Sequence, residues 1–179
     1  MQRNSNILDL CLISLMTAVM AITAQIAIPL PLGVPITLQT FAVTLAGVIL
    51  GHKKGALSAL IYIFIGAIGI PVFSNFTGGY QCLIGPTGGF IISFPIMAYI
   101  VGLGITYNSR FKGALVTSII LGNVINLLCG TLWFSFLSKT SLLASFTTCV
   151  VPFLPTTLIK IVLSWIAGIN IRKRLTKIM

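Results

Sequence analysis

The sequence predicts an all-α integral membrane protein of six transmembrane helices with both ends on the cytoplasmic side. Three observations carry this reading. Of 179 residues, 57% are hydrophobic and only 7% charged, with a mean hydropathy of +1.11, whereas a soluble domain holds about 25% charged residues. Apolar runs able to cross the ~30 Å hydrocarbon core recur along the chain. The basic residues sit in short clusters between those runs, the pattern of the positive-inside rule.

The first helix is expected over 7–28. It has no small-x-small cleavage site ahead of polar sequence, so it reads as a retained helix. Pro29, Pro31, Gly33 and Pro35 then interrupt the chain, because proline lacks an amide hydrogen and fixes φ. Helices two and three, over 36–51 and 55–70, are short. Pro71 ends the third, and 71–88, rich in Gly, Asn, Thr and Pro, reads as an ordered loop or re-entrant segment. Irregular backbone at membrane depth persists only where protein covers it or where it lines a cavity. Helices four, five and six are expected over 89–107, 113–137 and 148–171. The whole chain, 1–179, reads as one membrane domain without an obvious internal repeat.

Charge sets the orientation. With the N-terminus inside, cytoplasmic segments hold Arg3, Lys53, Lys54, Arg110, Lys112, Arg172, Lys173, Arg174 and Lys177; the outer loops hold only Lys139, and Lys160 lies within helix six.

The inventory excludes several functions. A net charge of +10 invites a nucleic-acid reading, but no soluble basic face with interleaved aromatics exists. Cys11, Cys82, Cys129 and Cys149 form no CxxC pair, so neither a disulfide framework nor a zinc site is indicated. There is one Asp and no Glu, and His52 sits beside Lys53 and Lys54 in a turn. General acid–base catalysis and metal binding therefore lack their usual groups, and no GxxxxGK[ST] loop is present. No cofactor or metal is expected, and uphill transport would need a partner's energy or an ion gradient. Gradient-driven carriers commonly use intramembrane acids, which are missing.

What remains points to ligand capture. Lys160 lies 12 residues before Arg172, roughly 18 Å along a helix, so it sits deep in the bilayer at a cost of about 2.5–3.5 kcal/mol. Asp9 belongs near the opposite membrane face. Lys160 either snorkels to the outer interface, is neutral or satisfied by carbonyls and water, or awaits a ligand carboxylate; the last is the favoured reading. The stretch Ile84 to Phe90, IGPTGGF, offers free helix-start amides around Gly85, Thr87 and Gly88, or alternatively a tight turn with close packing. Asn75 and Tyr80 are polar candidates in the preceding loop. Thr37, Gln39 and Thr40 stand at the mouth of helix two as neutral donors and acceptors, with Thr37 as N-cap the plainer alternative. Asn123 and Asn126 share one face of helix five, where bonding between helices is the commoner role. Trp133 and Phe134 read as an interface belt. Ser14, Thr17, Ala18, Ala21 and Ala24 form a small-residue strip for helix packing.

These residues resemble a known family. The stretches IPLPLGVPITLQTFAVTLAGVILG (28–51), GALSALIYIFIGAIGIPVF (55–73), GPTGGF (85–90) and VPFLPTTLIK (151–160) are similar to the biotin-specific substrate-capture (S) components of energy-coupling factor transporters, the BioY family. The likeness spans most of the chain in the right order and spacing. It implies an S-component fold that encloses one vitamin, with a membrane coupling (T) subunit and two ABC ATPases as partners, in a bacterial cytoplasmic membrane. Biotin or a close analogue is the implied ligand: its carboxylate needs a cation or free amides, its ureido ring neutral donors and acceptors, its thiophane ring apolar walls. The family typically reads PFLPGDLLK near the end, with an acid three residues before the lysine. Here that position is Thr157, which can still offer one hydrogen bond. An S component for another small metabolite, such as a biotin precursor, and a stand-alone facilitator are the alternatives; a facilitator should present polar residues along several helices.

Overall fold

The computed structural model describes residues 2–30, 33–108 and 113–175, with side chains from residue 6 onward. Of the residues that framed the sequence reading, Pro31, Arg110, Lys112, Lys177 and the Arg3 side chain lie outside the described residues.

Helix α1 (Gln2–Ala24) ends four residues before its expected limit. The cause is a two-residue ladder: β1 (Ala27–Ile28) pairs antiparallel with β2 (Ile36–Thr37), matching Ala27 to Thr37 and Ile28 to Ile36. Helix α2 (Gln39–Leu50) turns directly into α3 (His52–Ala67) at Gly51, whose φ of 80° is a left-handed conformation that a β-carbon would penalise. A 3₁₀ turn (Ser74–Phe76) and α4 (Gln81–Ile84) order the segment expected as a loop. Helix α5 (Gly88–Ile92) and α6 (Phe94–Tyr107) make one apolar span bent at Ser93. Helix α7 (Ala114–Ser138) follows closely its expected span.

The expected sixth helix begins too early. Residues 142–149 form a separate helix, α8 (Leu142–Cys149), whose Ser141 side chain accepts from the Ala144 amide at 3.3 Å. The break at 150–152 includes Pro152, which has no hydrogen to donate. Helix α9 (Phe153–Leu175) starts only after it.

Among the described residues the bundle is built from six helical units, α1, α2, α3, the α5–α6 pair, α7 and α9. Four of these contain spans long and apolar enough to cross a membrane, namely Asn6–Ala24, Gly88–Tyr107, Ala114–Ser138 and Phe153–Leu175. Helix α2, with 12 residues, covers only about 18 Å, and the β1–β2 ladder stands before its start.

Helix α6 packs against α2, α3 and α7, while α9 lies along α2 and α1 lies on α2 and α3. The bundle is apolar outside as well as inside, as lipid rather than water dictates. On α9 the buried residues are Phe153, Lys160, Ser164 and Gly168, whereas Leu158, Ile159, Val162, Leu163 and Ile166 are exposed. Small residues let the backbones approach: a β-carbon at Gly102 would run into the His52 backbone, and one at Gly130 into the Phe90 ring. On α1, Thr17 and Ala24 are buried but Ser14 and Ala18 are exposed, so the small-residue strip is only partly used within the chain. Arg172 Nη1 donates to the carbonyls of Val48 (3.0 Å) and Ile49 (2.8 Å), satisfying acceptors that the end of α2 leaves open.

Candidate functional site

One pocket lies at the end of the bundle where β2 leads into α2, α5 begins and α9 begins. Its cavity volume is about 40 Å³, within about 570 Å³ of atom-free space that includes the open mouth. Pro35, Thr37, Gln39 and Thr40 contribute from the β2–α2 entry, Ser74 from the 3₁₀ turn, and Thr87, Phe90, Ile91 and Phe94 from α5 and α6. Asn123, Asn126 and Leu127 come from α7, and Phe153, Thr157 and Lys160 from α9.

Lys160 is 6% exposed. Its ammonium donates to the Thr37 carbonyl at 2.6 Å and to Thr40 Oγ1 at 3.3 Å. An ammonium carries three hydrogens, so these two bonds leave one to be placed. The head group is thus buried against β2 and the start of α2 and meets a backbone carbonyl, one of the partners expected for it. The only acid in the sequence, Asp9, pairs with Lys54 at 2.5 Å, near the starts of α1 and α3. No carboxylate side chain is therefore left for Lys160.

Gln39 is equally buried and fully oriented. Its Nε2 donates to the Tyr62 hydroxyl at 2.6 Å, and its Oε1 accepts from Thr37 Oγ1 at 3.1 Å. Thr37 itself sits in β2, with Leu38 as the residue before the helix. The N-cap expectation is thus displaced by one residue, although Thr37 Oγ1 still accepts the Gln39 amide at 3.4 Å. Asn126 ties α7 to the bend at Ser93, giving hydrogens to the Phe90 carbonyl (2.9 Å) and Ser93 Oγ (2.8 Å). Asn123 gives one hydrogen to the Ile119 carbonyl of its own helix. Phe90 and Phe153 stack at 6.2 Å and 14° between planes to form an apolar wall; the close approach of α7 at Gly130 holds Phe90 in place.

Lys160, Thr157, Gln39, Thr37, Thr87 and Asn123 all line this pocket. Asn75, Tyr80, Gly85 and Gly88 do not. Asn75 is exposed on the crest of the 3₁₀ turn with φ 58°, and Tyr80 is 69% exposed. The Gly85 carbonyl accepts the Trp133 indole hydrogen at 3.0 Å, and a β-carbon at Gly88 would strike the Leu83 carbonyl. The amides of Gly88, Phe90 and Ile91 bond backbone carbonyls. Tight packing is what Gly88 and Gly89 supply, since a β-carbon at either would strike Leu83 or Trp133. Trp133 therefore fastens this segment, and Phe134 is buried beside Phe90 and Phe153 rather than belonging to an interface belt. Ser74 and the apolar wall went unnoticed in the sequence. Phe90 and Phe153 do stand inside the singled-out stretches, but an apolar residue in an apolar chain carries no contrast.

Chemically, the site offers a buried cation, neutral amides and hydroxyls, and stacked aromatic surface. These groups are chemically complementary to a small molecule with an anionic group, a hydrogen-bonding polar head and an apolar ring.

The family model described as the BioY family matches residues 1–177. A protein of Pyrococcus horikoshii named "Probable biotin transporter BioY" is 46% identical over 125 residues, covering 70% of this chain and 73% of its own. "Biotin transporter BioY2" of Lactococcus lactis subsp. cremoris is 34% identical over 176 residues, covering 97% and 95%. Among solved structures, "the S-component for biotin from an ECF-type ABC transporter" superposes with a TM-score of 0.85 at 30% identity, over 99% of this chain and 95% of that one.

Proposed function

This chain belongs to the BioY family, and on that premise we propose that it is the membrane subunit that captures biotin for an energy-coupling factor transporter. Family and fold make it a multi-pass transport protein, not an enzyme. The observation that carries the ligand reading is the buried Lys160 ammonium, which faces a pocket and has no acidic side chain to pair with. Biotin supplies the missing anion through its carboxylate. Its ureido head suits the amide and hydroxyl groups of Gln39, Thr37, Thr157 and Asn123, and its thiophane ring suits the Phe90–Phe153 wall. A charge-assisted bond inside a low-dielectric site is the strong kind.

In this reading the basic end of the bundle, with Lys53, Lys54, Arg172, Lys173 and Arg174, faces the cytoplasm. The pocket then opens outward, in a bacterial cytoplasmic membrane. The chain offers no GxxxxGK[ST] loop, so energy comes from a coupling subunit and two ABC ATPases. Thr157, in place of the family's acid, favours a second reading in which a biotin precursor is the preferred cargo; competition between biotin and its precursors decides between them.

Binding of labelled biotin to the purified protein tests the proposal. Wild type should bind, and Lys160→Ala should lose at least ~30-fold in affinity, the cost of removing one partner of a buried charge pair. Well-folded wild type with no detectable binding rejects biotin, and equal binding by both proteins rejects the carboxylate contact.

A further inference from the structure

Tyr62 lies outside the pocket, yet it joins the pocket to the loop above it. Its ring is 1% exposed and sits edge-on to Phe73, with centroids 5.5 Å apart and planes at 83°. Its hydroxyl accepts from Gln39 Nε2 at 2.6 Å and donates to the Val72 carbonyl at 3.0 Å. Gln39 Oε1 in turn accepts from Thr37 Oγ1, and the Thr37 carbonyl accepts from Lys160. The donors from Thr37 onward all point the same way, because a phenol has one hydrogen and Val72 takes it. Tyr62 must then accept from the Gln39 amide, which turns the Gln39 oxygen toward Thr37.

The loop end of this series is held from a second side. Gln25, just past α1, donates Nε2 to the Phe73 carbonyl at 3.1 Å and accepts the Phe76 amide at 2.8 Å. Asn75 and Phe76 both have positive φ, 58° and 54°, a conformation that survives only where surroundings over-determine it. Ser74, between these ties, lines the pocket.

We propose that Tyr62 is a positioning residue for ligand retention: its hydroxyl couples Gln39 and Lys160 in the pocket to the 72–77 loop that carries Ser74. A ligand that draws on Lys160 or Gln39 polarises one end of the series, and the bonds to Val72 strengthen or weaken in step. Occupancy is thereby felt by the loop beside the mouth. This rests on the proposed function, since it needs a ligand at Lys160 and Gln39.

The test uses the full chain with biotin. Amide hydrogen exchange over 72–77, where the Phe73 and Phe76 amides are bonded, should slow when wild type binds biotin. Tyr62→Phe keeps the ring and removes only the hydroxyl. It should release biotin about five- to tenfold faster, the worth of one buried hydrogen bond, with little change in association rate. It should also abolish the ligand-dependent slowing of exchange in the loop, a readout that mere loss of stability does not produce. Wild type that fails to bind biotin overturns the function and the coupling together. Wild type that binds while 72–77 stays unresponsive overturns the coupling alone, even if Tyr62→Phe does not fold. So does a folded Tyr62→Phe with wild-type release and wild-type exchange.

Discussion

A single unmatched charge is the most informative residue in this chain. Lys160 was legible in the sequence because lipid makes a cation conspicuous; Ser74 and Phe90 were not, because their importance arises only when distant segments meet. Thr157 stands one helical turn before Lys160, at a spacing that places both on one helix face. Thr157→Asp gives Lys160 a counter-charge within its own helix, so the ammonium then depends less on a ligand anion. The discrimination between biotin and its uncharged amide should therefore narrow, by about tenfold for each 1.4 kcal/mol that the new pair supplies. Kd values of the two ligands, compared in wild type and variant, report this. Identical ratios remove Thr157 from the site.

At the scale of elements, the long apolar helices were legible and the short pieces were not. A span of about 20 residues announces itself by length alone. The two-residue β1–β2 ladder and α8 have no such signature: strands that short show no periodicity, and Pro152 punctuates α9 without revealing that a capped helix precedes it. The short α2 depends on α9 at its far end, where Arg172 bonds the Val48 and Ile49 carbonyls. Arg172→Ala leaves those acceptors short of a donor and should cost about 1.5–3 kcal/mol, read as a lowered melting temperature in detergent. Because Arg172 is three turns from Lys160, biotin affinity of the folded variant should change less than twofold. A large affinity loss without loss of stability contradicts the assignment of Arg172 to the helix end.

For the molecule as a whole, the membrane is the solvent that explains the composition. Exposed leucines and isoleucines on α9 are where lipid belongs, while the polar groups turn inward to bond one another or line the pocket. The polar side chains that line the pocket gather at one end, and among the described residues those buried elsewhere, such as Thr17, Ser58 and Ser118, bond backbone carbonyls and line no part of that pocket. A capture subunit needs only such a one-sided chamber, whereas a facilitator needs a path through. Protein reconstituted alone in liposomes should therefore show biotin binding but no sustained uptake. Steady uptake without ATP or partner subunits contradicts the subunit reading.

The pairing of α2 with α9 has a mechanical consequence. Lys160 fastens one end of α9 to the entry of α2, and Arg172 fastens its other end to the exit of α2. Two rods joined at two points behave as one plank: neither can slide along the other without breaking a cationic clasp. Any motion of one of these helices must therefore carry the other with it. Any opening of the chamber then has to come from the side of α5, α7 and the 72–77 loop.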